Sequence, residues 1–259
     1  MDPLSFALPW SDALGAVALL IRASAFIAVA PVLGATGLSY RMRIGLALLL
    51  VILLAPVVPP ADPETTLIAL VIGEMFTGVV IAFGARMVIE AAVYAGGLAG
   101  FPAGLALAQF LDPQTELSVP ALGTLYRLLT ILTFLALGGH LELIAIFGRS
   151  YEVVPVGAAV LSGPWLEELV SMTGRVFILA FRLAAPVIAA GLLTDLCLML
   201  IARAVPQMHI LIVGAPIRLT VGLLAVGFSL HVLVPLFGDA LQDAARDTGQ
   251  ALRALAPAG

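Results

Sequence analysis

The chain has 259 residues, 62% of them hydrophobic and 11% charged, with a mean hydropathy of +1.15 and a formal net charge of -4. Ordinary domains carry about 25% charged residues, so this composition excludes a soluble globular protein and identifies an integral membrane protein. The basic residues are scattered and form no stripe, which argues against nucleic-acid binding; the single cysteine, Cys197, excludes an internal disulfide or a cysteine-based metal cluster.

Apolar runs occupy residues 13–30, 44–58, 67–94, 122–147, 176–201 and 210–237. Most approach or exceed the roughly 20 residues that span hydrocarbon, and the second is short. Before the first run stand Asp2 and Asp12 and no basic residue. A retained first helix is therefore expected, although Ala28-Val-Ala30 looks like a signal cleavage site. Pro31 and Gly34, then Pro59-Pro60-Ala-Asp62-Pro63, mark the first two connections; residues 95–120, Pro155 to Pro164, and Pro206 mark the rest. No internal repeat or low-complexity linker is visible. The expected fold is an all-α integral membrane protein of about six long apolar helices, arranged as kinked hairpins with one glycine-rich broken segment. Arg41, Arg43 and Arg203 flank the runs on the side that the excess of basic residues assigns to the cytoplasm, which puts both termini outside.

The stretch 95–120 is the least helix-like part of the middle of the chain. Gly96, Gly97, Gly100, Gly104 and Pro102 weaken a helix there, since glycine costs about 1 kcal/mol per site and proline about 3. Irregular backbone at membrane depth survives only where protein covers it or where it lines a cavity. The stretch is either a connecting loop or the lining of a passage. The tail after Phe237 carries Asp239, Asp243, Arg246, Asp247 and Arg253 among alanines and leucines. Both a surface helix and a frayed end fit that pattern.

Arg22, Glu74, Arg86, Glu90, Arg182, Asp195 and Arg218 lie in or near the apolar runs. A charge at mid-bilayer costs a few kcal/mol, so such groups face protein or water. Arg86 and Glu90 are four apart on one helix, a spacing at which they can pair. Arg22 is too far from either end of its run to snorkel. Asp195 reads either as a proton or ion carrier or, more blandly, as the partner of an arginine on a neighbouring helix. Gly78, Ala82 and Ala85, and Gly214 and Gly222 on either side of Arg218, are small faces that let helices approach closely in lipid.

Enzyme motifs are missing. His140, His209 and His231 have no metal-ligand spacing. Gly-Leu-Leu-Thr-Asp195 is not the motif of an intramembrane aspartyl protease, Leu161-Ser-Gly-Pro164 lacks the glycine of a rhomboid-like site, and there is no phosphate-binding loop. His140, after Gly138-Gly139, reads as a cap or interface group.

Taken in order, Arg22, Pro31, Tyr40-Arg-Met-Arg43, Gly73-Glu74, Gly78, Gly84, the glycine stretch closing on Asp112-Pro113, Gly138-Gly-His140, Ser150, Pro155, Pro186, Asp195, Pro206-Gln-Met208 and Gly214-Ala-Pro216 resemble the FliR/SctT family of type III secretion export-gate subunits. The likeness extends to about Phe237. His209 and Arg218 depart from it, standing where asparagine and lysine are common in the family.

The resemblance implies a structural, channel-forming subunit of the flagellar protein export gate in the bacterial inner membrane, with no catalytic residue and no cofactor. Its flagellar rather than injectisome form is favoured by Gly138-Gly-His140 and the Pro-Gln-Met turn. Residues 1–163 would be a FliP-like part with a plug loop at 106–119; residues 164–238 would be a FliQ-like hairpin turning at Pro206, Gln207 and Met208; residues 239–259 would be a tail. Phe110, Leu111, Asp112 and Pro113 would constrict the channel, with Gly100 and Gly104 allowing displacement. A bulky apolar constriction holds back water and ions by dewetting. Implied partners are FliP-type and FliQ-type gate subunits, FlhB-type and FlhA-type export components, and unfolded export substrates. The competing reading is a stand-alone secondary transporter with Asp195 and the broken segment as its site. It lacks the matched broken helices of repeated halves.

Overall fold

A computed structural model describes residues 13–34, 38–56, 58, 66–104, 121–161, 164–205 and 210–257, and every regular element among them is an α-helix. In chain order these are α1 (Ala13–Val29), α2 (Tyr40–Leu54), α3 (Leu67–Gly100), α4 (Ala121–Ala136), α5 (Gly139–Val153), α6 (Pro164–Ala204) and α7 (Ile210–Leu255). Three stretches, Leu67–Gly100, Trp165–Ala204 and Val213–Leu255, are long and apolar enough to cross a membrane, and α4 with α5 makes a fourth if that bent pair is one span. The all-helical membrane architecture expected from the hydropathy is what the chain adopts.

Local chemistry explains where helices start and stop. Ser39 caps α2 with its hydroxyl, which accepts from the Met42 N–H at 3.4 Å. The apolar run at 122–147 is two helices and not one: α4 ends at Ala136, and Gly138, at φ 73, turns the chain before α5. Only glycine takes that left-handed conformation without penalty. Gly138 is thus the N-cap residue of α5, and His140 lies inside the helix.

Residues 1–86, 138–172 and 242–259 form one compact unit; residues 87–137 and 173–241 form the other. In the first, the C-terminal tail is neither frayed nor merely surface-bound. It continues α7, with Ala251, Leu252 and Leu255 buried, and the Val160 N–H donates to the Leu255 carbonyl at 2.9 Å. Gly84 of α3 admits this helix end: a Cβ there would lie 2.9 Å from the Ala244 carbonyl oxygen and 2.9 Å from Thr248 Oγ1.

The second unit is built on alanine. Ala91, Ala95, Ala99 and Ala103 recur every four residues and are buried with Leu122, Tyr126, Leu183, Val187, Leu233 and Phe237. Here the glycine-rich stretch departs from the sequence expectation, because α3 runs unbroken through Gly96 and Gly97 to Gly100. A Cβ on Gly96 would run into the backbone of Leu122 and Gly123. The intrinsic cost of these glycines is offset by the close approach of two helices, which small residues permit. The helix gives way at Phe101–Gly104, six residues later than Ala95.

Candidate functional site

Two arrangements gather Arg22 with Glu74 and Asp195 with Arg218, one in each compact unit. In the first unit, Glu74 and Gly78 lie one turn apart on the same face of α3. Both meet α1 at Arg22. A Cβ on Gly78 would strike the Arg22 carbonyl oxygen and sit 2.9 Å from Ala25 Cβ, so glycine lets the two backbones touch. That approach brings the side chains together. Arg22 Nε donates to Glu74 Oε2 at 2.7 Å and Nη2 to Oε1 at 2.9 Å, a forked pair in which both side chains are 0% exposed.

The remaining valences of that pair are met from α5 and the turn after it. Arg22 Nη1 donates to Ser150 Oγ at 3.1 Å and Nη2 to the Val154 carbonyl at 3.0 Å. The Ser150 hydroxyl in turn donates to the Phe147 carbonyl at 2.7 Å, and the Gly157 N–H donates to Glu74 Oε1 at 3.0 Å. Tyr151 covers the guanidinium, with its ring centroid 4.1 Å from Cζ, and Phe147 stacks on Phe26 at 4.8 Å. A buried ion pair is tolerable only when its hydrogen-bonding groups are satisfied in this way. The arrangement holds no reacting group. It fastens α1, α3, α5 and the turn at 154–157 to one another.

In the second unit, Asp195 of α6 meets Arg218 of α7, with Nε 2.7 Å from Oδ1. The contact lacks hydrogen-bond geometry, so it is a close ion pair and not a forked bond. The side chains are 38% and 41% exposed. Around this pair sits the start of the broken segment. Gly104 has φ 76, and a Cβ there would lie 3.3 Å from Arg218 Cβ and 3.3 Å from Leu219 N. A Cβ on Gly222 would be 2.5 Å from Ala103 Cα, and one on Gly191 would run into Pro102.

Of the other candidate residues, Gly100 is buried as the last residue of α3. Glu90 lies 3.8 Å from Arg127 of α4, and Arg86 is half-buried on α3. Phe110, Leu111, Asp112 and Pro113, like Pro206, Gln207 and Met208, lie outside the described residues. Sequence reasoning missed Arg127, Gly191, Tyr151 and Gly157 as participants. Gly157, at φ 75 after Val154-Pro155, carried a turn signal; nothing local marked the other three.

Residues 14–244 match the family described as Bacterial export proteins, family 1. The chain is 30% identical over 219 residues to the flagellar biosynthetic protein FliR of Escherichia coli (strain K12), covering 83% of this chain and 84% of that one. It is 33% identical over 224 residues to FliR of Pectobacterium carotovorum subsp. carotovorum, covering 85% of each. With FliR of Bacillus subtilis (strain 168) it shares 27% identity over 221 residues, 83% of this chain and 85% of the relative.

Proposed function

We propose, from the premise that this chain belongs to the bacterial export proteins of family 1, that it is a flagellar biosynthetic export component acting as a structural subunit of the type III export gate. The observation that carries this is the match over most of both chains to FliR proteins from three organisms. The family is one of export proteins and not of enzymes. In this reading the subunit sits in the bacterial inner membrane with both termini on the periplasmic side. Its residues 1–163 are FliP-like and 164–238 are a FliQ-like hairpin.

The gate passes unfolded flagellar subunits, and residues 106–119 obstruct it, with Phe110 and Leu111 as the bulky groups. Two features support this. The helix α3 stops at Gly100, six residues before that segment, and a chain that leaves a helix at membrane depth does so where it borders protein or a lumen. Gly104 holds a left-handed conformation that commits the chain to leave the helix. The transporter alternative is disfavoured by the contact between Asp195 and Arg218, which accounts for the carboxylate as the partner of an arginine on a neighbouring helix.

Purification in mild detergent tests the assembly. Stable co-purification with FliP- and FliQ-type proteins, and weaker association with FlhB- and FlhA-type components, is expected. A lone monomer stabilised by a small ligand would overturn the gate reading.

A further inference from the structure

We infer that the Asp195–Arg218 pair is a latch that keeps the Pro102–Gly104 turn seated between α6 and α7. Gly191 and Asp195 are one turn apart on α6, and Arg218 and Gly222 are one turn apart on α7, so each helix presents a glycine and a charge on the same face. The glycines receive the turn and the charges join the helices beside it. Three consecutive residues are held: Pro102 against Gly191, Ala103 against Gly222, and Gly104 against Arg218 and Leu219. Ala103 is 0% exposed. Among the described residues the turn is closed by the Ala103 N–H to the Ala99 carbonyl and the Gly104 N–H to the Phe101 carbonyl, both at 3.1 Å.

With contacts this close, any change in the spacing of α6 and α7 at this level alters the seat of the turn. The groups that bridge those helices at this level are the ones that decide its release. A forked, fully buried pair would make the seat permanent. The Asp195–Arg218 contact is single and lacks hydrogen-bond geometry, with its two facing atoms withdrawn from the surface, so it joins the helices less firmly than the forked Arg22–Glu74 pair. The seat is therefore one that the loss of either charge can loosen. Its consequence for export rests on the reading that the residues after Gly104 obstruct the gate: opening the latch frees the root of that segment.

Hydrogen exchange by mass spectrometry on the full-length chain in detergent reads the latch directly. Asp195→Asn and Arg218→Gln are each expected to speed exchange at the Ala103 and Gly104 amides about tenfold or more. Amides around Arg22 and Glu74 serve as the folded reference and should not change. The exchanged pair, Asp195→Arg with Arg218→Asp, is expected to restore slow exchange, which a merely local packing defect would not do. Unchanged exchange at the turn in the single variants, or failure of the exchanged pair to restore protection, overturns the latch. Ion leakage through gates altered at Phe110 and Leu111 tests the obstruction separately, so either claim can fail alone.

Discussion

Arg22 and Glu74, 52 residues apart in sequence, form a forked ion pair at 2.7 and 2.9 Å with both side chains withdrawn from solvent. Around it α1, α3 and α5 are fastened, since Ser150, Val154 and Gly157 supply the other hydrogen bonds. Breaking such a pair from one side leaves the other charge buried alone. Arg22→Ala or Glu74→Ala should therefore destabilise the protein by about 3–5 kcal/mol. Thermal unfolding in detergent measures this, and a loss under about 1 kcal/mol would show that the pair is not fully desolvated.

The Glu90–Arg127 contact provides the contrast. At 3.8 Å, with side chains 24% and 41% exposed, it is long and open to screening. Arg127→Gln should shift stability by less than about 1 kcal/mol. A loss as large as that of Glu74→Ala, in the same unfolding assay, would mean that exposure does not rank these pairs.

Gly78 is where α3 touches the backbone of α1. Adding one methyl group forces the helices apart at the level of Arg22, because the obstructing atom is a carbonyl oxygen and not a flexible side chain. Gly78→Ala should cost about 1–3 kcal/mol despite the better helix propensity of alanine. Gly174, with open space around it, is the control: Gly174→Ala should be neutral or stabilising by up to about 1 kcal/mol. Equal behaviour of the two variants in thermal unfolding would contradict the close approach.

The C-terminal helix end is part of the first compact unit. Leu255 is completely buried and its carbonyl accepts from Val160. Leu255→Ala should cost about 2–5 kcal/mol, and limited proteolysis should then remove the tail faster than in the parent. An unchanged digestion pattern would mean that the tail packs independently of this side chain.

Much of this was legible in the residues, for physical reasons that also mark the limits. Hydropathy marked the six apolar runs as helical, because a run near membrane length must satisfy its backbone internally. Arg22 stood out as a charge with no route to solvent, and Asp195 as a carboxylate suited to a neighbouring arginine. That Arg22 would meet Glu74 and Ser150, 52 and 128 residues away, has no local signature, since periodicity reports faces and not partners. Gly96 misled because its helix penalty was weighed without the packing against Gly123 that offsets it. The split at Gly138 escaped hydropathy, which is blind to φ. The tail stayed ambiguous because its charges and alanines suit either solvent or a partner, and the buried contacts of Leu252 and Leu255 decide between them.

The central claim is that this chain lends its interrupted segment to the obstruction of a protein-export conduit. Conductance of small ions through purified gate complexes, reconstituted with either the parent chain or Phe110→Ala/Leu111→Ala, tests it most directly. The doubly altered gates should leak where parent gates are closed. Gates that stay as tight as the parent would contradict it.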